Sequence, residues 1–276
     1  MRLNTSFKAT SGLIKSNTPI PLDILRHNVP SIFAEDKHHS RSERYTYVPT
    51  SEIVEGLDKE GFQPFFACQA KVRAENGDRA DFAKHMIRFR HASTINSDVA
   101  NEIILVNSHD GSTSYQMMAG AFRFVCSNGL ICGDLVEDIR VRHSGNIVDN
   151  VIEGAYSILD QFEKVEGSKE GMKSIALRPE EKRIFANAAL TLKYEDKAPI
   201  TSDALLIPHR REDRDDPSLW SSFNVVQENL IRGGQYGRTA NNRNTRTRAV
   251  NGIGQNVQLN RALWTLAEEM KKLKAA

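Results

Sequence analysis

The sequence predicts an α+β protein in which an antiparallel sheet with a leading helix comes first and a helical C-terminal half follows. Between residues 62 and 141, short apolar runs alternate with the strand period of two and are separated by turn signals such as Asn76-Gly77 and Asn128-Gly129. After Ser144-Gly145, apolar residues recur instead at the spacing of an amphipathic helix. A run of strands followed by a run of helices is typical of the α+β class.

The first half should open with a helix that begins at Thr50, with its hydroxyl as N-cap, and ends at Gly61. Strands are predicted to follow over residues 62–72, 86–91, 102–106, 122–126 and 139–141. Their short connections indicate a meandering antiparallel sheet.

The second half should contain helices from about Asp149, from Pro179, from Asp216-Pro217 and from about Val257. Gly233-Gly234 is the predicted end of the third helix.

We therefore divide the chain into three segments. Residues 1–44, with their prolines and a polar run, are expected to form an irregular N-terminal arm. Residues 45–148 should form the sheet-rich half of the core. Residues 149–276 should form the helical half, with a basic loop at 232–248. A length of 276 residues allows one large domain or two small ones.

The composition, with 39% hydrophobic and 26% charged residues, is that of a folded globular protein. The first residues lack the apolar core of a secretory signal, and no window reaches the roughly 18 apolar residues that a membrane span needs. We expect a cytoplasmic protein with no membrane contact.

Cysteine and histidine spacing indicates no metal site. Cys68, Cys126 and Cys132 lie among apolar neighbours, and neither they nor the eight histidines have zinc-ligand spacing. We expect three buried thiols without a metal. The glycine motifs that cradle nucleotide phosphates are also missing, so we expect no cofactor.

The segment from Arg232 to Arg248 contains five arginines and no acidic residue. Arginines make bidentate phosphate contacts, glycines permit close backbone approach, and tyrosine can stack on a base. This pattern favours a clamp for single-stranded nucleic acid over a solvated basic loop. The predicted clamp residues are Arg232, Tyr236, Arg238, Arg243, Arg246 and Arg248.

A second basic feature lies on the predicted strand around residue 88. Lys84, Arg88 and Arg90 are evenly spaced and should share one strand face, and Arg140 and Arg142 repeat the pattern. We expect either a second basic shelf for nucleic acid or ordinary alternation against solvent.

The stretch Asn107-Ser108-His109-Asp110-Gly111-Ser112 follows a buried strand and is the best candidate for catalysis. His109 and Asp110 are weak catalytic candidates, because adjacent residues on an extended chain point in different directions. Structural turn chemistry is the favoured interpretation of this loop, with a functional loop as the alternative.

Several long motifs resemble those of the phage/plasmid-like proteins grouped as domain-of-unknown-function family 932. They are the stretches 107–111, 122–130, 227–234 and 259–264, and the resemblance covers about residues 41–273. It implies a role on plasmids or prophages and assigns no catalytic residue. The order of elements from Tyr45 to about Val151 is also similar to that of RecT-type single-strand annealing proteins, a likeness at the level of fold only.

These observations favour an accessory protein of a mobile element that binds single-stranded nucleic acid, single-stranded DNA above all, without an enzymatic step and with homo-oligomerisation left open. One alternative is an interaction protein that inhibits a host defence system by binding a host protein. Another is a hydrolase or nuclease that uses His109 and Asp110.

Overall fold

The computed structural model describes residues 10–34, 47–71, 81–94, 99–110, 113–123, 129–131, 139–143 and 145–275. It confirms the α+β class, with an antiparallel sheet and its leading helix before a helical half. The described residues form two compact units, one within Met1–Gly129 and Val136–Phe162 and the other within Leu130–Leu135 and Glu163–Ala276.

The first unit is built on an antiparallel sheet. Its strands are β1 (Thr10–Lys15), β2 (Phe62–Ala70), β3 (His85–His91), β4 (Val99–Asn107), β5 (Tyr115–Arg123) and β7 (Ile139–Val141), with a short β6 (Gly129–Ile131) before β7. The sheet order is β1-β2-β3-β4-β5 with every neighbouring pair antiparallel, and β7 pairs with the other edge of β5.

Helices α1 (Leu22–Asn28), α2 (Thr50–Lys59) and α3 (Ile147–Leu159) complete the first unit. A Cβ added at Gly154 of α3 would come within 2.2 Å of Met117 on β5, so this helix packs closely on the sheet. The face of α2 that carries Ile53, Val54 and Leu57 is buried, as its helical spacing predicts.

The N-terminal segment differs from the predicted irregular arm. β1 pairs with β2 along the edge of the sheet, and α1 leads into a 3₁₀ turn at Pro30–Phe33. Leu25, Val29 and Ile32 are fully buried. The prolines of this segment flank short elements instead of preventing them, since a proline is accepted in the first turn of a helix.

The second unit consists of helices and one small hairpin. Its helices are α4 (Phe162–Ser174), α5 (Pro179–Tyr194), α6 (Ser202–Leu205), α7 (Leu219–Arg232) and α8 (Ile253–Ala275), and its strands are β8 (Tyr236–Arg238) and β9 (Asn244–Arg246). Trp220 and Phe223 of α7 both pack edge-on against Trp264 of α8, at centroid distances of 6.4 Å and 5.9 Å. This aromatic cluster forms the centre of the unit's core.

Several local predictions need correction. Asn146, not Asp149, caps α3, because its side chain accepts a hydrogen bond from the Asp149 N–H. Thr50 makes no cap hydrogen bond at the start of α2. The sequence pattern also missed α4, whose buried face carries the polar residues Ser168 and Lys169 between Val165 and Met172.

Cys68 is buried with a free thiol, and burial raises its pKa to about 12. Cys126 and Cys132 lie outside the described residues. Within the ranges given above, no three histidine, cysteine or acidic side chains are grouped as a metal site would require. No helix in those ranges combines the length and apolar character needed to cross a membrane.

Candidate nucleic-acid interface

The basic segment predicted as a loop folds for the most part as a β-hairpin. Tyr236 of β8 lies opposite Arg246 of β9, and Arg238 lies opposite Asn244. Asn242 closes the turn in the left-handed region at a φ of 57°. The hairpin lacks an apolar alternation, so the usual strand signal is missing from its sequence.

One face of the hairpin is packed against the chain before α6. The N–H of Arg238 donates to the carbonyl oxygen of Pro199 at 2.8 Å. A Cβ at Gly237 would lie 2.0 Å from the same oxygen, so only glycine permits this approach. Because side chains alternate along a strand, Tyr236, Arg238 and Arg246 are presented on the opposite, exposed face.

An aromatic and a cationic side chain are held together on that exposed face. The guanidinium of Arg246 lies 4.1 Å from the centre of the Tyr236 ring, and its Nη2 donates to the tyrosine hydroxyl. Tyr236 is nevertheless 74% exposed. Arg238 is oriented by a hydrogen bond from its Nη1 to Oδ1 of Asn242 at 2.8 Å. The hairpin therefore presents an exposed aromatic ring and two oriented guanidinium groups on one face.

A groove of about 1150 Å³ adjoins the hairpin. We call it the basic groove, because five basic residues line it and Asp196 is the one acidic residue among the described lining residues. The basic lining residues are Lys193, Lys197, Arg238, Arg246 and Arg248. The structure thus brings three predicted clamp arginines together with two lysines that the sequence analysis did not single out.

Lys193 closes one side of the basic groove. Its ammonium group donates to the carbonyl oxygens of Leu230 at 2.6 Å and Arg248 at 3.0 Å, which ties the end of α7 to the segment after β9. Burial lowers the pKa of Lys193 to about 8. Lys193 and Lys197 were missed because acidic residues separate them in sequence, so they form no basic run.

Two of the predicted clamp arginines, Arg232 and Arg243, do not line the groove. Arg232 is paired with the buried carboxylate of Glu228 at 3.0 Å, and Glu228 also accepts from Arg210. The pairing with Glu228 offsets part of the positive charge of Arg232. Arg243 is exposed in the turn of the hairpin, beyond the groove.

The motif at 227–234 holds the hairpin's base in position. Asn229 of α7 donates to the carbonyl oxygens of Leu205 and Ile207, and its own side-chain oxygen accepts from His209 and Gln235. The Asn229 side chain is buried, and both its amide nitrogen and its oxygen are satisfied by hydrogen bonds. Asn229 is therefore a structural support of the hairpin.

The second basic shelf expected on β3 is not at the surface. Arg88 and Arg90 are 6% and 2% exposed, and both face Glu102, which is itself buried. Arg90 forms the closer pair, with its Nη2 2.9 Å from Oε1 of Glu102. Each guanidinium also lies over a phenylalanine ring, at 4.4 Å and 4.3 Å. Lys84 is half-buried and lies just before β3. The face with Arg88 and Arg90 is therefore corrected from a nucleic-acid shelf to a buried ion-pair cluster.

The loop with His109 and Asp110 belongs to a second buried polar cluster, centred on Thr50. The Thr50 hydroxyl lies 3.0 Å from Nε2 of both His85 and His109, and Asn107 donates to it at 3.2 Å. His109 is fully buried, whereas Asp110 is half-buried. Gly111 and Ser112 lie outside the described residues.

The hydrogen bonds indicate which ring nitrogen of His85 and of His109 carries the proton. His85 donates from Nδ1 to the carbonyl oxygen of Ala83, so its Nε2 accepts from Thr50, and the Thr50 oxygen is left to accept from Nε2 of His109. Burial lowers the pKa of His85 to about 4 and that of His109 to about 2. Two neutral, enclosed rings fit a structural role and leave His109 out of reach of a substrate in solvent.

Comparison with known proteins gives a family and no activity. The family model described as "Domain of unknown function (DUF932)" matches residues 37–264. Among the relatives, UPF0380 protein YfjQ of Escherichia coli K12 is 48% identical over 98% of this chain and 97% of its own length. UPF0380 protein YafZ of the same organism is 47% identical over the same shares.

No solved structure matches the chain, and nothing in these comparisons supports the likeness to RecT-type annealing proteins. The family model spans most of the chain, and the relatives align over nearly all of it. The chain is therefore a member of the DUF932 family.

Proposed function

We propose that this protein binds single-stranded nucleic acid through the β8–β9 hairpin. The observation that carries the proposal is the exposed pair of Tyr236 and Arg246, with Arg238 on the same hairpin face. Aromatic rings stack on bases of any identity, and arginines hold phosphates, so together they bind a strand without reading its sequence.

Charge around the pair favours the same ligand. Arg243 and Arg248 are exposed on the same segment, and the adjoining basic groove has an excess of basic over acidic lining residues. The proposal includes a plasmid or prophage setting, which the resemblance of the sequence motifs implies. We propose that the ligand is single-stranded DNA exposed during transfer or recombination of such elements.

The test is the salt dependence of binding to a labelled oligothymidylate, followed by fluorescence anisotropy. Replacement of Arg238, Arg243 and Arg246 by alanine should flatten the slope of log affinity against log salt by about two, at roughly 0.7 for each lost phosphate contact. Tyr236→Ala should cost about 1–3 kcal/mol and leave the slope nearly unchanged, since it removes stacking and no charge.

A matched control removes three basic charges from elsewhere on the same unit. Lys164, Arg211 and Arg214 are exposed and outside the basic groove, so their joint replacement by alanine should leave the slope nearly intact. An equal loss in this control would mean that net charge, and not the hairpin, governs binding. Lack of measurable affinity of the native protein near physiological salt would refute the proposal.

A further inference from the structure

The basic groove is lined by both apolar and basic residues. Its apolar lining comes from both the chain before the hairpin and α8, and it includes Leu192, Tyr194, Pro199, Leu259 and Ala262. The basic side chains described above complete the lining. Leu192 is 47% exposed, so the groove offers an apolar side chain that a bound molecule can contact.

This combination matches one kind of occupant. A nucleobase is flat and apolar on its faces, and it is attached to a phosphodiester that needs cations nearby. We propose that the basic groove receives an unpaired nucleotide of the bound strand, with its base on the apolar lining and its phosphates on the arginines and lysines. This inference rests on the proposed function and deepens it, because it identifies a second contact site beside the hairpin.

Position and size agree with this occupant. Arg246 contacts Tyr236 on the hairpin and also lines the groove. A nucleic-acid strand with one base stacked on Tyr236 would therefore lie next to the groove. Small-molecule sites are usually about 300–1,000 Å³ in volume. At about 1150 Å³ the groove is large enough for a nucleotide.

The groove would also make the protein selective for single strands. A base in a duplex is paired and stacked, and it can enter a pocket only after it is flipped out at an energetic cost. Phosphates of a duplex, in contrast, remain accessible to the hairpin arginines. Single-strand preference should therefore depend on the groove, while general affinity depends on the hairpin.

Ala262→Phe tests this by filling the apolar lining without removing a charge. Affinity for an oligothymidylate should fall about tenfold or more, as expected for the loss of one stacked base, while duplex affinity and the salt slope stay nearly the same. Ala204→Phe is the matched control, because Ala204 is similarly half-buried in the same unit but does not line the groove. Emission from Trp220 and Trp264 checks that both variants fold.

A second measurement does not depend on a variant. Photocrosslinking with 5-iodouracil in the oligonucleotide, followed by mass spectrometry, should label Tyr194 in the groove as well as Tyr236 on the hairpin. Crosslinks to Tyr236 without Tyr194, together with unchanged single-strand affinity of Ala262→Phe, would overturn the groove site and leave the proposed function standing. If the proposed function itself were wrong, the hairpin variants would instead bind the oligonucleotide as tightly as the native protein does.

Discussion

Acidification should destabilise the first unit selectively, through the two histidines of the Thr50 cluster. The folded state holds His85 and His109 neutral, with pKa values lowered to about 4 and about 2 from an ordinary value of 6.5. Below pH 6.5 the unfolded chain therefore takes up protons that the folded chain does not. Stability present at neutral pH is lost as the pH falls through this window.

The size of the loss follows from the same pKa values. At pH 5 each histidine lies about 1.5 units below its unfolded pKa, and each unit corresponds to about 1.4 kcal/mol. His85 and His109 should then each remove about 2 kcal/mol, for a joint loss of about 4 kcal/mol. This is a large part of the roughly 5–15 kcal/mol by which a typical domain is stable.

Hydrogen exchange followed by mass spectrometry would measure this loss as the opening free energy of amides in β3 and β4. Both tryptophans, Trp220 and Trp264, lie in the second unit, so their emission separately reports a unit without the cluster. His109→Gln should reduce the difference between pH 7 and pH 5 by about 2 kcal/mol, whereas His27→Gln, at an exposed position on α1, should leave it unchanged. An equally large difference in His109→Gln and the native protein would refute the argument.

Three further substitutions test individual contacts. Glu102→Gln should destabilise the first unit by about 3–5 kcal/mol in urea unfolding, because two buried arginines lose their anion, while exposed Glu55→Gln should change it by less than about 0.5 kcal/mol. Gly237→Val should make the hairpin sensitive to limited proteolysis, since its Cβ would clash with the carbonyl oxygen of Pro199; protection equal to the native protein would contradict this. Gly167→Ala should stabilise the second unit by about 0.5–1 kcal/mol by tryptophan-detected unfolding, because no neighbour lies near its Cβ in α4, and a loss of stability would show that reasoning to be wrong.

The candidate site was only partly accessible to sequence reasoning. Tyr236, Arg238 and Arg246 were predicted as clamp residues from a local run of arginines, and local runs are visible in a sequence. Lys197 was not predicted, because it joins the groove through folding of the chain before α6 against the hairpin. Arg90 was predicted on a basic surface, because a period of two defines the two faces of a strand without saying which is covered.

The sequence by itself determined that a strand-rich part precedes a helical part, that α7 ends at Gly233-Gly234 and that arginine is concentrated near the C-terminal end. These depend on local periodicity, backbone conformation and composition, which act over a few residues. Only the tertiary structure decided that Arg90 is paired with Glu102, that Thr50 is the centre of a buried cluster, and that Lys193 meets Arg248. Each of these contacts forms between segments that are distant in sequence. The free energy gained when such segments pack and exclude water depends on the whole folded chain, so local sequence patterns do not reveal it.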